Sequence, residues 1–573
     1  MRPRAPLRSS PLGTVRNAVC MVGLVWVLAD CGGSDNTTSS STPTTVTTSV
    51  TNYTLGGTIS GLASGSVVLA NGSHTVTVAA GATSWMFSDS FAPGSSYSVT
   101  VHTQPTDEIC AVTSGGGGKN TGNVDNVTVA CGFGQWIWKA GLKALNGIGV
   151  YGTQGTASAG SVPGARYGAS SWTDAAGEFW LFGGVGYDAT GATGYLNDLW
   201  RYSPATGQWT WFSGGNVDNA AGIYGTKGSA AAGNCPGARQ AASAWIDSSG
   251  NLWLFGGVGY SAASAVGNLN DLWRYSPSSG LWTWVSGGDA DNATGIYGTK
   301  GNAAAGNIPG ARYSASAWID SSGNLWLFGG FGYAAAGTAG ELGDLWEYSS
   351  STKEWTWASG KDSVNGDAEY GTLGTASASN LPGARYAASQ WTDSSGNLWL
   401  FGGYGYASTG TAGKLSDLWE YVPGTKEWTW VSGNAAANVA GIYDTLGTAD
   451  STTLPGGRQA ASSWTDSSGN LWLFGGVGYD AFGKVGNLND LWQYSPSASE
   501  WTWFSGGFQA APSGIYGTQG TALAGDVPGG RNASSSWIDS SGRLWLFGGS
   551  GYDSTGSQGY LNDLWQYTPG TGS

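Results

Sequence analysis

An Arg recurs at Arg166, Arg239, Arg312, Arg385, Arg458 and Arg531, each 73 residues after the last. An Asp-Leu-Trp triplet keeps the same step at Asp198, Asp271, Asp344, Asp417, Asp490 and Asp563. From Trp136 to Ser573 the chain is six units of 73 residues without insertion or deletion. A unit copied six times cannot bury its own faces, so the copies must pack on one another. Each copy holds four short strand-like runs, for example ARQAASAWID (238–247), NLWLFGG (251–257), NDLWRYS (270–276) and WTWFSG (209–214). We name them strands A, B, C and D, outward from an expected axis. The expected architecture is all-β, a closed array of six four-stranded blades over residues 133–573, with units starting at 136, 209, 282, 355, 428 and 501. Trp136-Ile137-Trp138 reads as a strand D with no blade before it, and the last run of the chain reads as a strand C. Segment 135–141 is therefore expected to complete the last blade and close the ring.

The repeat accounts for the composition. Of 32 Trp, 30 fall in five columns, those of Trp136, Trp138, Trp172, Trp180 and Trp200. A residue identical in six copies serves the copy, so these Trp are expected to form inter-blade core rather than platforms for sugar stacking. Asp247-Ser248-Ser249-Gly250-Asn251 reads as a tight turn between A and B. The net charge of -14 argues against a nucleic-acid partner, and 13% aromatics argue against disorder.

A double Gly at the end of strand B (Gly256-Gly257), a Tyr on strand C (Tyr275) and a Trp opening strand D (Trp282) recur in this order in all six copies. The pattern resembles the kelch motif, and the resemblance implies a β-propeller. Kelch units run near 50 residues, so the surplus of these longer units is expected in loops. The family includes galactose oxidase, a copper enzyme, but the residues argue against that chemistry here. The two His, His74 and His102, precede the repeats, and the repeats hold one Cys, Cys235. They supply neither imidazole ligands for copper or zinc nor a Ser/His or Cys/His nucleophile pair. No cofactor is expected.

Residues 1–30 read as a signal peptide, with Arg2, Arg4, Arg8 and Arg16 before the apolar run Ala18 to Ala29. That run is too short to span a membrane. Leu28-Ala29-Asp30-Cys31 resembles the bacterial lipoprotein processing box, which implies lipidation at Cys31, although Asp30 stands where that box has a small residue. The expectation is an exported monomer held at the outer membrane or cell surface through a lipid anchor; secretion or a periplasmic location is the alternative. Residues 31–52 form a Ser/Thr-rich linker. Residues 53–132 alternate apolar and polar positions in short runs and are expected to form a small β-sandwich. Cys110 and Cys131 are expected to form its disulfide. Cys235 stands where other copies have Val, Ile or Leu, so a buried apolar role is expected.

Arg239 begins strand A and Asp271 begins strand C, on the face where the Gly pair ends strand B. A structural salt bridge across the Gly gap is expected in each copy, Arg166 with Asp198 through Arg531 with Asp563; the alternative is an open Arg ring that binds anions. The D–A and B–C connections are long and share one face, so function is expected there, at the channel mouth. The residue after each Arg varies among neutral hydrogen-bonding types: Tyr167, Gln240, Tyr313, Tyr386, Gln459 and Asn532. Such a ring suits a glycan or protein ligand. Tyr195, Phe331, Tyr404, Phe482, Phe508 and Tyr560 are further candidates in the long loops. The expected function is non-catalytic binding, with a structural envelope module as one alternative. The other is a sugar mutarotase-like enzyme using mouth carboxylates such as Glu341, Glu369, Asp444 or Asp526. Asp289-Ala290-Asp291-Asn292 resembles the start of a calcium loop but lacks its Gly and terminal Glu.

Overall fold

The structure, a computed structural model, describes residues 52–62, 65–105, 109–523 and 525–570. The signal-like segment, Cys31 and the linker up to residue 51 lie outside the described residues. Among the described residues every regular element is a strand, and no helix is long and apolar enough to cross a membrane.

Before the repeats lie two four-stranded sheets. In one, Leu55–Ser60 pairs parallel with Val124–Phe133, and Ile109–Ser114 lies antiparallel beyond it. The other is built on Ser66–Asn71 between His74–Ala79 and Ser96–Thr103. One core holds both sheets, with Leu55, Leu69, Trp85, Val99 and Val127 all buried. Cys110 and Cys131 face each other across the Ile109–Ser114 ladder and are disulfide-bonded.

Each repeat forms an antiparallel sheet. In the second, Ser243–Ile246, Leu252–Phe255, Leu272–Ser276 and Leu281–Ser286 lie side by side in that order. Each sheet thus takes its strand D from the start of the next sequence unit. The last sheet takes it from Gln135–Ala140, which pairs antiparallel with Gln558–Thr568. Strand B is buried along its whole length (Leu252, Trp253, Leu254, Phe255), because neighbouring sheets cover both its faces. Strand A is buried only at alternate positions.

The Trp columns join the sheets. Buried clusters combine Trp172, Trp180 and Phe182 with Leu252, Leu254 and Trp273 of the next repeat. The same kind of cluster combines Trp537, Trp545 and Phe547 with Phe179, Leu181 and Trp200. The strand-A indoles donate to the following repeat's strand B, Trp172 to the Trp253 carbonyl at 3.3 Å and Trp245 to the Trp326 carbonyl at 3.1 Å. Trp537 donates to the Trp180 carbonyl at 3.1 Å, so the last repeat contacts the first as every other pair does. Fully burying one such indole, 150–250 Å² at about 25 cal/mol per Å², is worth about 4–6 kcal/mol before entropy. One column differs: Trp138 and its equivalents are half-buried at the outer edge.

Strands A and B depart from what the sequence predicts. Strand A is broken into Arg239–Gln240 and Ser243–Ile246. Strand B does not end at the Gly pair; it turns there and continues as Val258–Tyr260, which forms a hairpin with Val266–Asn268. Gly256 and Gly257 have φ of +64° and +92°, and a Cβ on Gly256 would meet the Arg312 carbonyl of the next repeat. The double Gly is therefore a kink that admits neighbouring backbone. Room for the Arg side chain comes instead from Gly259, where a Cβ would sit 2.6 Å from the Arg239 Cβ.

Candidate binding site

The six Arg–Asp pairs set the geometry of the site. Arg166 Nη1 and Nη2 donate to Asp198 Oδ1 and Oδ2 at 2.7 and 2.8 Å, and both residues are almost fully buried. Further donations from this Arg go to the Gly164 and Gly183 carbonyls, each at 3.0 Å. Asp198 Oδ2 also accepts from the Trp200 indole at 2.7 Å and from the Tyr151 hydroxyl at 2.6 Å. The Asp271, Asp344, Asp417, Asp490 and Asp563 pairs have the same closed arrangement, with N–O distances of 2.7 Å. No Arg face is open to an anion, so the guanidinium ring is a structural device. Two buried charges are tolerable here because they pair with each other in bidentate geometry and most of their remaining hydrogen-bonding positions are filled. At Asp344, burial pushes the carboxyl up, but the Arg312 charge and hydrogen bonds from Arg312, Tyr297 and Trp346 override it and leave it lowered.

Two residues beyond each Arg, the chain turns through positive φ: Gly168, Ala241, Ser314, Ala387, Ala460 and Ala533, with φ from +51° to +67°. These six residues are hydrogen-bonded head to tail. Ala241 N donates to the Gly168 carbonyl at 2.7 Å, each later member donates to the one before it, and Gly168 N donates to the Ala533 carbonyl at 2.8 Å. The ring explains the break in strand A and fixes what lies on either side of it. Beyond it, toward the A–B turns, is a cavity of about 160 Å³ bounded by Ala242, Ala315, Gln390 and Ser534. On the other side are the residues that follow each Arg.

Those residues are the first members of six three-residue rows across the strands. The rows are Tyr167–Val185–Tyr195, Gln240–Val258–Asn268, Tyr313–Phe331–Glu341, Tyr386–Tyr404–Lys414, Gln459–Val477–Asn487 and Asn532–Ser550–Tyr560. Residues in register on neighbouring strands share a face. The rows therefore bring Tyr195, Phe331, Tyr404 and Tyr560 together with the six candidates that follow the Arg. They also add Glu341 and Lys414, of which only Glu341 stands out in the sequence.

The rows are not alike. The third and fourth repeats hold an aromatic cluster: Tyr313 lies 5.5 Å from Phe331 and 6.1 Å from Tyr386, and Tyr386 lies 5.6 Å from Tyr404. Lys414 Nζ donates to Gln459 Oε1 at 3.3 Å and sits 5.5 Å from the Tyr404 ring centre. Among the described residues, Glu341 has no cation within ion-pair distance. A second aromatic contact, Tyr167 to Tyr560 at 5.0 Å, lies across the join of first and last repeats. The rows of the fifth and sixth repeats hold three amides in six positions, and Asn532 Nδ2 donates to Asn487 Oδ1 at 2.9 Å. Burial, with help from Tyr560 and Tyr195, pushes the Tyr167 phenol up to about 12. Burial, Tyr386 and Glu341 raise Tyr313, and burial lowers Lys414. The Tyr167 and Tyr313 phenols are therefore neutral donors at physiological pH.

No family model matches this chain, and no curated protein matches it either.

Other candidates lie away from these rows. Phe482 and Phe508 pair with each other at 6.0 Å, and Phe508 packs on Tyr443 and Trp503. Glu369 is exposed against Lys361 at 3.3 Å, and Asp444 accepts from the Thr445 backbone N–H. Asp526 lines a separate cleft with Trp136. The calcium-like run braces loops: Asp291 accepts from the Asn292 side chain at 2.7 Å, and Asn292 Oδ1 accepts from Asn268 N. Cys235 is half-buried rather than buried, as are Val162 and Ile308 in its column. Burial pushes its thiol up to about 11. The individual aromatic residues and Glu341 stand out in the sequence, but their shared rows follow only from the strand register; the positive-φ ring is signalled only by Gly168 among Ala and Ser.

Proposed function

We infer that the repeats form a six-bladed kelch-like β-propeller, preceded by a small β-sandwich, and that the protein binds a glycan non-catalytically at the propeller mouth. Support for the propeller comes from six like sheets, from the Gln135–Ala140 strand pairing with the last of them, and from the Trp537–Trp180 bond. Export and a lipid anchor at Cys31 rest on the sequence alone.

One observation carries the binding reading: the Tyr313, Phe331, Tyr386 and Tyr404 cluster shares its rows with the Glu341 carboxylate and the Lys414 ammonium. Aromatic faces suit the C–H face of a sugar ring. One acceptor, one donor and the flanking amides of Gln459 and Gln240 suit its hydroxyls, giving the apolar wall with few polar groups typical of a small-ligand site. A mutarotase-like or hydrolytic enzyme would need partnered acid–base groups, and Glu341 is the only carboxylate in the eighteen row positions. Screening the full chain against a glycan panel tests the reading. Binding that is lost in Tyr386→Ala but kept in Phe482→Ser supports it; binding of proteins or peptides alone replaces the ligand class.

A further inference from the structure

In repeats two to four, one Asn on the D–A connection ties two strands of backbone together. The Asn234 amide donates to the Ser229 and Trp282 carbonyls at 3.0 and 3.1 Å; Asn307 and Asn380 do the same for the Trp355 and Trp428 carbonyls. The sixth repeat has Asp526 in this column. Its carboxylate has no N–H to give, so the equivalent Trp136 carbonyl loses the donor it would have had. Asp526 is 7% exposed, and its Oδ2 has no hydrogen-bond partner. A cleft of about 520 Å³ opens beside it, walled by Trp136, Leu446, Phe504, Pro512 and Ile515. Among the described residues, Asp526 is the only ionisable one of that wall.

Two further differences leave the cleft open. Repeats two, three and five lay a two-residue strand on the edge of the adjoining strand D, such as Ala230–Ala231 on Leu281–Ser286. Among the described residues, the sixth repeat has no counterpart on Gln135–Ala140. In repeats two and three, moreover, the column of Leu446 holds a lysine. Lys227 Nζ donates to the Gly287 carbonyl at 2.6 Å and Lys300 Nζ to the Gly360 carbonyl at 2.7 Å, each 4.3 Å from a Trp ring. Leu446 leaves the matching Gly506 backbone at the cleft wall without that ammonium.

We propose that this cleft binds a small organic ammonium ion. Its N–H groups pair with the Asp526 carboxylate, and its apolar stem lies against Trp136, Phe504 and Ile515. A buried carboxylate that takes the Gly517 backbone N–H but whose Oδ2 has no donor, carbonyls served elsewhere by an amide or a lysine, and an indole wall all select a cation with an apolar body. The site is separate from the propeller mouth and independent of the glycan reading.

Calorimetric titration of the full chain with phenethylammonium chloride, and with the neutral isostere 2-phenylethanol, tests this. The expected result is saturable binding of the ammonium, at least about tenfold tighter than that of the alcohol. Asp526→Asn, which installs the residue of Asn234, should weaken it by about tenfold or more. Leu446→Lys, which installs the lysine of repeats two and three, should also block it and serves if the first variant does not fold. No saturable binding to the unaltered chain, equal binding of the alcohol, or undiminished binding to either folded variant would overturn the proposal.

Discussion

The Trp537 indole N–H donates to the carbonyl of Trp180, 3.1 Å away in space and 357 residues earlier in the chain. It is the bond Trp172 makes to Trp253 between adjacent repeats, so the join of last to first repeat has no special chemistry. What is special is the strand that completes the last sheet, Gln135–Ala140. Deleting it strips a strand D and Trp136, which is 1% exposed, from the core. The full chain lacking residues 135–140 should melt well below the intact protein and bind a dye for exposed apolar surface. An unchanged melting curve contradicts the closure.

Asp271→Ala leaves Arg239 charged, 1% exposed and unpaired. The expected cost is about 3–5 kcal/mol, read by denaturant unfolding. Tyr224→Phe removes one donor to the same carboxylate and should cost about 1.5–3 kcal/mol. A loss under about 1 kcal/mol for Asp271→Ala would show that the pair is solvated rather than closed.

Asp526 makes stability depend on pH in an unusual direction. Burial pushes its carboxyl up to about 6, from 3.8 in an unfolded chain. The folded state therefore holds the proton more tightly. This group's contribution is fully present below pH 3.8 and is lost as the pH rises through about 6. Asp526→Asn removes the dependence and should be more stable than the parent at neutral pH, with the gap closing toward pH 4. Melting curves across that window check the sign; a gap that widens on acidification contradicts it.

Ala241 has a φ of +54° and Gly259 lies against the Arg239 Cβ. Ala241→Gly should be neutral or stabilise by up to about 1 kcal/mol, because it relieves a left-handed Ala. Gly259→Ala should destabilise by more than about 2 kcal/mol, because backbone and Arg239 leave no space for the methyl. Equal effects of the two changes would contradict the register of strands A and B.

Columns identical in every repeat are legible in the amino-acid sequence, whereas local departures from the repeat pattern are not. The 73-residue step exposes the four strands, the inter-repeat Trp and the Arg and Asp columns, because packing demands the same residue in every copy. The order of residues suggests Gly256-Gly257 as the space for Arg239, whereas Gly259 makes that space, since register decides which Gly faces which Cβ. The break at Ala241 is not legible either: Ala in a left-handed turn carries no compositional mark, and only the hydrogen-bond ring makes it tenable. The candidates after each Arg are visible as a variable column. Their union with Glu341 and Lys414 is not, because it depends on strand B continuing past its kink.

Sugar binding at the Tyr313–Tyr386 wall is decided by calorimetric titration of the best glycan from the panel. The proteins to titrate are the parent chain, Tyr386→Ala and Glu341→Gln, with Phe482→Ser as the surface control. The expected result is saturable binding to the parent and the control, a loss of at least about tenfold in each mouth variant, and unchanged melting temperatures. Equal affinity across all four proteins, or no glycan bound by the parent, would contradict it.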